Sequence, residues 1–143
     1  MASAPPFQGS KNRSNVSTKV IEVGALVLFC AEVESAVHFY RAIGVPLEAE
    51  EHDGGPKHYA CEIGGCHFAL FKGHPGVAPS FRSAGYAFPG FVVASVDESL
   101  AAARALGANV LADPELYPWG RRCVIEDPDG RAIEIYERAS QSG

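Results

Sequence analysis

An internal repeat most constrains how this chain can fold. A shift of 63 positions aligns the first half of the sequence with the second. The aligned helical residues and their glycine ends are Val33 with Val96, Glu34 with Asp97, Val37 with Leu100, Arg41 with Arg104, Ala42 with Ala105, Ile43 with Leu106 and Gly44 with Gly107. Residues 61–63 correspond to residues 123–125 at a shift of 62, because the loops of the two halves differ in length. Neither half is large enough to bury a sheet alone, so the repeat predicts two small modules that share one core.

Each module is predicted to contain one strand, one helix and three further strands. The helices, 32–43 and 96–106, carry apolar residues at helical spacing and end at Gly44 and Gly107. The predicted strands are 20–30, 47–51, 58–63 and 66–71 in the first module, and 88–94, 109–112, 121–126 and 131–136 in the second. Strand 20–30 is apolar on both faces, which predicts that it is covered on both sides. The fold class is therefore α+β, with two paired βαβββ modules and the helices outside.

The turns and segment boundaries follow from composition. Gly64 and Gly65 suit a two-residue hairpin, residues 114–118 a turn-rich loop, and residues 127–130, Asp-Pro-Asp-Gly, a turn before the last strand. The predicted organisation is an N-terminal arm (1–18), a first module (19–73), a linker (74–86), a second module (87–138) and a tail (139–143), all within one compact domain.

The overall composition limits the possible partners. A net charge of −5 does not favour nucleic acid or an acidic membrane surface, and no apolar run reaches the length of a membrane span. The N-terminus lacks a secretory signal pattern, so we expect a cytoplasmic protein. The four cysteines lie in apolar or alternating runs without a Cys-x-x-Cys pair, which favours reduced, buried thiols.

The last strand carries one conspicuous carboxylate. Alternation places Ile133 and Ile135 on one face and Glu134 with Tyr136 on the other. If the isoleucines pack on the core, Glu134 points either into solvent or into a cavity. In a cavity, it could bind a cationic or polyhydroxylated ligand or act as a general base.

Several short segments, in this order, resemble the vicinal oxygen chelate superfamily, which includes glyoxalase I, bleomycin and fosfomycin resistance proteins, methylmalonyl-CoA epimerase and extradiol dioxygenases. These segments are residues 28–32, 39–41 with Gly44, 118–121, 127–131 and 133–135, and the resemblance covers about residues 22–138. It implies an open, barrel-like sheet of eight strands, the homodimer usual in the family, and a small-molecule ligand. It does not fix the chemistry, because one scaffold hosts many functions.

The resemblance also implies where a divalent metal would be bound. The ligand positions of the family fall on Ala25, Ala69, Phe88 and Glu134, and only the last of these can ligate a metal. We therefore predict that the usual metal site is absent and that no cofactor is bound. The alternative is a displaced divalent metal held by His67 and Glu134, with His58 as a further candidate.

The expected cavity is largely apolar and aromatic. If Glu134 faces inward, alternation turns the same side of the neighbouring strands toward it. The predicted ligand-binding residues are Phe29, His67, Phe71, Phe88, Trp119, Arg121, Glu134 and Tyr136. Arg121 and Arg122 have opposite faces, and the sequence does not decide which of them points inward.

Three functions follow from these residues. The first is a metal-independent protein that binds a bulky or aromatic organic ligand. The second is an enzyme, either a lyase, isomerase, epimerase or dioxygenase-like protein with a displaced metal, or a metal-free enzyme with Glu134 as its base. The third is a fold retained for interaction with a partner, with no small ligand.

Overall fold

The computed structural model describes residues 18–51, 54–55 and 57–139. Two βαβββ modules follow one another along the chain, as the repeat predicts. The first contains β1 (Ala25–Cys30), α1 (Val33–Ala42), β2 (Glu48–Glu50), β3 (His58–Ile63) and β4 (Cys66–Lys72). The second contains β5 (Gly90–Val92), α2 (Val96–Ala105), β6 (Val110–Tyr117), β7 (Gly120–Glu126) and β8 (Ala132–Arg138).

Each module forms its own four-stranded mixed sheet. The strand order is β1-β4-β3-β2 in the first sheet and β5-β8-β7-β6 in the second. In both sheets the first strand runs parallel to the last, and the remaining neighbours are antiparallel. The sheets do not close into a barrel, so the architecture is the open one predicted. β1 and β5 are edge strands, and β2 and β6 form the other two edges.

The two modules share one hydrophobic core on the helix-facing sides of the sheets. The ring centre of Phe91, from β5, lies 5.4 Å from that of Phe68 and 6.1 Å from that of Tyr40, so aromatic residues of both modules meet. Ser99 in α2 donates a hydrogen bond to the carbonyl oxygen of Ile43 at the end of α1. Burial of one face of each sheet against this core leaves the opposite faces available for other contacts.

Local sequence signals account for the turns and helix ends. Gly44 and Gly107 have φ of 113° and 83° directly after the helix caps, a conformation that favours glycine. Ser95 caps α2 by accepting a hydrogen bond from the Glu98 amide, whereas the N-cap residue of α1, Glu32, makes no such side-chain hydrogen bond. The helix and hairpin predictions are confirmed, with bounds that differ by a residue or so.

The first strand departs from the prediction. It begins at Ala25, and residues 19–24 are not in a strand. The side chains of Val20, Ile21 and Val23 are at least three-quarters exposed. The described residues do not cover β1 on both sides, because Leu28 is buried whereas Phe29 is 61% exposed.

The loop predicted at residues 114–118 is wrong for residues 114–117. These residues continue β6, an eight-residue edge strand that reaches Tyr117, and Pro118 lies in the turn that follows. Pro114 lacks an amide hydrogen, and the pairing with β7 shifts register between Ala112 and Glu115 to accommodate it.

Most of the predicted arm and tail, residues 1–17 and 140–143, lies outside the described residues. No helix within the described ranges combines the length and apolar character needed to cross a membrane.

Candidate functional site

Glu134 lies on the face of the second sheet that is turned away from the shared core. Its neighbours in β8, Ile133 and Ile135, are completely buried in that core, as the alternation predicts. Across the sheet, Glu134 pairs with Gly90 in β5 and with Val124 in β7. The carboxylate therefore lies on a central strand of this open face, between Gly90 on one neighbouring strand and Val124 on the other.

An arginine neutralises this carboxylate. Arg122 Nε donates a hydrogen bond of 2.7 Å to Glu134 Oε2, and the side chains are 21% and 22% exposed. Despite its partial burial, Arg122 has a raised pKa, because hydrogen bonds and charge interactions with Glu134 and Tyr117 stabilise the guanidinium. The partly buried pair combines charge attraction with a directional hydrogen bond.

Three aromatic rings border the ion pair. Tyr117 and Trp119, from the hairpin between β6 and β7, are stacked with their ring centres 5.3 Å apart. Tyr136 in β8 meets Trp119 edge-on at 5.6 Å, and the Arg122 guanidinium lies 6.0 Å from the ring centre of Tyr117. Trp119 is 47% exposed, so part of its ring surface remains available. We call Tyr117, Trp119, Arg122, Glu134 and Tyr136 the aromatic–ion-pair face.

Arg121 lies on the other side of the sheet. Its guanidinium forms an ion pair with Asp97 at the start of α2, at 2.6 Å. Strand alternation separates it from Arg122, which pairs with Tyr136 across β7 and β8. Of the two arginines, the structure thus places Arg122 beside Glu134, and the predicted ligand-binding role of Arg121 has no support from its position.

The corresponding face of the first sheet contains two histidine–carboxylate pairs. His67 Nδ1 lies 2.6 Å from Glu62 Oε1, and His58 Nε2 lies 3.1 Å from Glu50 Oε2. The His67 pair is well exposed, whereas His58 is 6% exposed. The pairing of Glu62 with His67 could have been read from the Gly64–Gly65 hairpin, whose two-residue turn sets the register of β3 and β4.

Aromatic residues extend along the edge of this first face. The ring of Phe71 stacks on His58 at 4.3 Å and lies 6.3 Å from that of Phe29. Because β1 pairs with β4 in parallel, Phe29 and Phe71 are opposite each other and share one face. The structure therefore places Phe29, Phe71 and His67 on one face of the first sheet, and Trp119, Glu134 and Tyr136 on the corresponding face of the second.

Phe88 belongs to a small cluster formed by the linker. Its ring lies 4.9 Å from that of Phe81, which in turn lies 5.5 Å from Tyr86. The Tyr86 hydroxyl accepts a hydrogen bond from the Ala132 amide at the start of β8. Phe88 is 40% exposed and precedes β5 rather than forming part of it.

A buried network holds the turn before β8 in place. Asp127 Oδ2 accepts a 2.6 Å hydrogen bond from the Tyr40 hydroxyl and a 2.7 Å bond from Arg131. Asp129 Oδ1 accepts from the Ala31 amide, and Arg131 also donates to the carbonyl oxygen of Phe29. The turn is thereby fixed to the end of β1, which positions the last strand and Glu134.

The four positions at which the family binds metal offer few ligands. Ala25, Ala69 and Phe88 carry no ligating atom, and the nearest polar partner of Glu134 is a guanidinium. Within residues 18–51, 54–55 and 57–139, no group of three or more His, Cys, Asp or Glu side chains is placed to hold a metal ion. The residues at these positions do not fit a metal centre of the usual kind.

Solved structures with the same fold are numerous. The antibiotic-binding protein TnmS3 from a Streptomyces species is 21% identical, with a TM-score of 0.61, and the match covers 84% of this chain and 98% of that one. TioX from a Micromonospora species is 20% identical, with a TM-score of 0.60 and coverage of 82% and 99%. A glyoxalase/bleomycin resistance protein from Albidiferax ferrireducens is 19% identical, with a TM-score of 0.63 and coverage of 81% and 98%. At these identities, the likeness establishes the fold alone.

The sequence itself establishes the family. No match is found among curated protein sequences. The family model of the Glyoxalase/Bleomycin resistance protein/Dioxygenase superfamily matches residues 22–135, which spans both modules. The chain therefore belongs to the glyoxalase/bleomycin resistance protein/dioxygenase superfamily.

Proposed function

We propose that this protein binds a small aromatic or otherwise bulky organic molecule on the open faces of its two sheets, without the metal centre of its enzymatic relatives. One observation carries the proposal: the aromatic–ion-pair face combines partly exposed rings with a neutralised carboxylate at the last ligand position of the family. Apolar and aromatic surface with a few fixed polar groups is typical of small-molecule sites. Antibiotic binding by the structural relative TnmS3 is consistent with such a role.

The proposed binding unit is a homodimer. The edge strands β1 and β5 carry exposed apolar side chains on the faces turned away from the core, including Phe29 at 61% and Val92 at 48%. Apolar side chains grouped on an open sheet face favour association with a partner surface. Light scattering after size exclusion should give twice the 15.2 kDa chain mass, and a monomer at micromolar concentration would contradict the dimer.

Ligand binding is tested by thermal and chemical stability in the presence of bleomycin and a panel of aromatic compounds. A compound that binds the folded protein at 100 times its Kd should add about 2.7 kcal/mol to the free energy of unfolding. Trp119 is the sole tryptophan, so its fluorescence reports on the aromatic–ion-pair face. A panel that leaves both stability and Trp119 emission unchanged would argue against the proposal and favour a fold retained for partner interaction.

The competing function is an enzyme with a displaced metal at His67 and Glu134, or with Glu134 as a general base. In the structure these two residues belong to different sheets, and each pairs with a charged neighbour of its own, Glu62 and Arg122. Metal analysis of protein purified without a tag separates the alternatives. Stoichiometric metal, removed by a chelator with loss of an activity, would replace the binding function with the enzymatic one.

A further inference from the structure

Glu134 has one oxygen that Arg122 does not bind. Arg122 Nε contacts Oε2, and within the described part of the chain Arg122 is the hydrogen-bond donor to this carboxylate. The neighbouring position across the sheet is Gly90, and a Cβ added there would lie 3.4 Å from Oε1 and 3.6 Å from the Tyr136 ring. A side chain at this position would cover Oε1, so the glycine leaves a notch between Glu134 and Tyr136.

The notch presents an acceptor whose carboxylate is already paired with a cation. Glu134 Oε1 can accept a hydrogen bond beside Gly90, whereas Arg122, on the opposite side of β8 from Gly90, bonds Oε2. Because Arg122 already balances the charge of Glu134, a ligand cation would add an excess positive charge to the pair, and a ligand anion at the notch would be repelled by Glu134. A neutral group that donates a hydrogen bond matches Oε1 without adding a charge. A hydroxyl group meets this requirement.

The surroundings of the notch select for a flat ring. Tyr136 forms one wall, and the stacked Tyr117 and Trp119 rings continue it. Gly90 is exposed and belongs to a three-residue edge strand, so a planar molecule can approach across it. A ring placed against Tyr136 gains stacking or edge contact with an aromatic surface that is already ordered.

We infer that the Gly90 notch binds the hydroxyl-bearing edge of a neutral hydroxylated aromatic compound, with the hydroxyl donating to Glu134 Oε1. This inference rests on the proposed function and names the ligand class of the same site. Phenols and hydroxylated polycyclic aromatics belong to the class. Aromatic carboxylates and aromatic ammonium ions do not.

Three probes with the same ring system test the charge preference: 2-naphthol, 2-naphthoate and 2-naphthylmethylammonium, titrated by calorimetry at pH 7. We expect 2-naphthol to bind at least about tenfold more tightly than either charged probe, which corresponds to about 1.4 kcal/mol, because a charged probe adds an unmatched charge beside the partly buried ion pair. If a charged probe binds as tightly as 2-naphthol, the neutral hydroxyl class is overturned while the proposed binding function stands. If no naphthalene probe binds but another aromatic compound does, the neutral hydroxyl class is likewise overturned and the proposed binding function stands.

Two variants test the location. Gly90→Ala adds a methyl group beside Glu134 Oε1 without requiring an unusual backbone angle, so it should fold normally and weaken 2-naphthol about tenfold. Gly24→Ala is the matched control, because a Cβ at that glycine meets nothing within 4 Å. Circular dichroism checks that both variants are folded. Equal affinity of Gly90→Ala and the unaltered protein for 2-naphthol would overturn the assignment to the notch.

Discussion

Arg122 Nε and Glu134 Oε2 are 2.7 Å apart on neighbouring strands, and each of the two side chains is only about one-fifth exposed. The family resemblance predicts a metal-ligand position at Glu134. In the structure, one oxygen of this carboxylate accepts a hydrogen bond from the Arg122 guanidinium. This relationship links the sheet register to the predicted lack of a metal, because it arises from the pairing of β7 with β8.

A double-mutant cycle with Arg122→Met and Glu134→Gln should measure the strength of this pair. We expect a coupling free energy of about 1 kcal/mol, since a charge-assisted hydrogen bond in a partly buried site exceeds an exposed one. Urea denaturation of the four proteins gives the value. The control cycle uses Arg121→Met and Asp97→Asn. The ion pair between these two residues is shorter, at 2.6 Å, but the Asp97 side chain is 72% exposed. Equal coupling in both cycles would show that burial adds nothing to the Arg122 pair.

Tyr40→Phe should destabilise the protein by about 1–3 kcal/mol, because it removes a buried hydrogen bond to a carboxylate. The Tyr40 hydroxyl bonds Asp127 Oδ2 at 2.6 Å and connects α1 to the turn before β8, and the Asp127 side chain is completely buried. The free energy of unfolding from urea titration gives the loss. Tyr59→Phe is the matched control, because its hydroxyl bonds the exposed Glu34 and should contribute less. A larger loss of unfolding free energy from Tyr59→Phe than from Tyr40→Phe would contradict the greater contribution expected of the hydrogen bond to buried Asp127.

The repeat predicted the fold well because each local signal agreed with the others. Helical spacing, glycine ends and a two-residue hairpin each specify one element, and together they specify the module. The extent of β6 was not predictable in the same way. Pro114 normally ends a strand, and only the edge position and the register shift, both tertiary features, allow β6 to continue through it.

The face of each arginine was not predictable, because it depends on the length of one turn. The pairing of Glu126 with Ala132 fixes the β7–β8 register and places Arg122 beside Tyr136. A shift of one residue in that turn would exchange the faces of Arg121 and Arg122. The sequence locates Glu134 on the open face by alternation, but its partner depends on the hairpin geometry. The Gly90 notch depends on a different pairing, that of β5 with β8. The sequence does not predict this pairing, since a glycine in a strand gives no signal of which residue lies beside it.

Gly120→Ala should destabilise the protein strongly, by about 3 kcal/mol or more, because overlap with backbone cannot be relieved by moving a flexible side chain. Gly120 has φ of 147°, and an added Cβ would overlap the carbonyl oxygen of Glu137 on β8. The control is Gly107→Ala, where φ is 83° but a Cβ meets nothing within 4 Å. That variant should lose only about 1–2 kcal/mol, from backbone strain alone. Similar thermal midpoints for the two variants would contradict the packing argument.

Stability should fall as the pH rises from 9 toward 11, and buried thiols should contribute a measurable part of the loss. Burial raises the pKa of both Cys30 and Cys123 from 9.0 to about 11. In this range the unfolded chain releases these protons while the folded protein retains them. Because the folded state then binds more protons, the free energy of unfolding decreases with pH, by up to about 1.4 kcal/mol per pH unit for each thiol.

The Cys30→Ala, Cys123→Ala double variant isolates this contribution. It should be less stable than the unaltered protein at pH 7, since it leaves small cavities in the core, but its stability should decline less steeply above pH 9. Tyr40, whose pKa is also raised by burial, is present in both proteins and cancels from the comparison. Urea titrations under reducing conditions at several pH values between 9 and 11 give the two slopes. Parallel curves would mean that the thiols ionise alike in the folded and unfolded states, contrary to their burial.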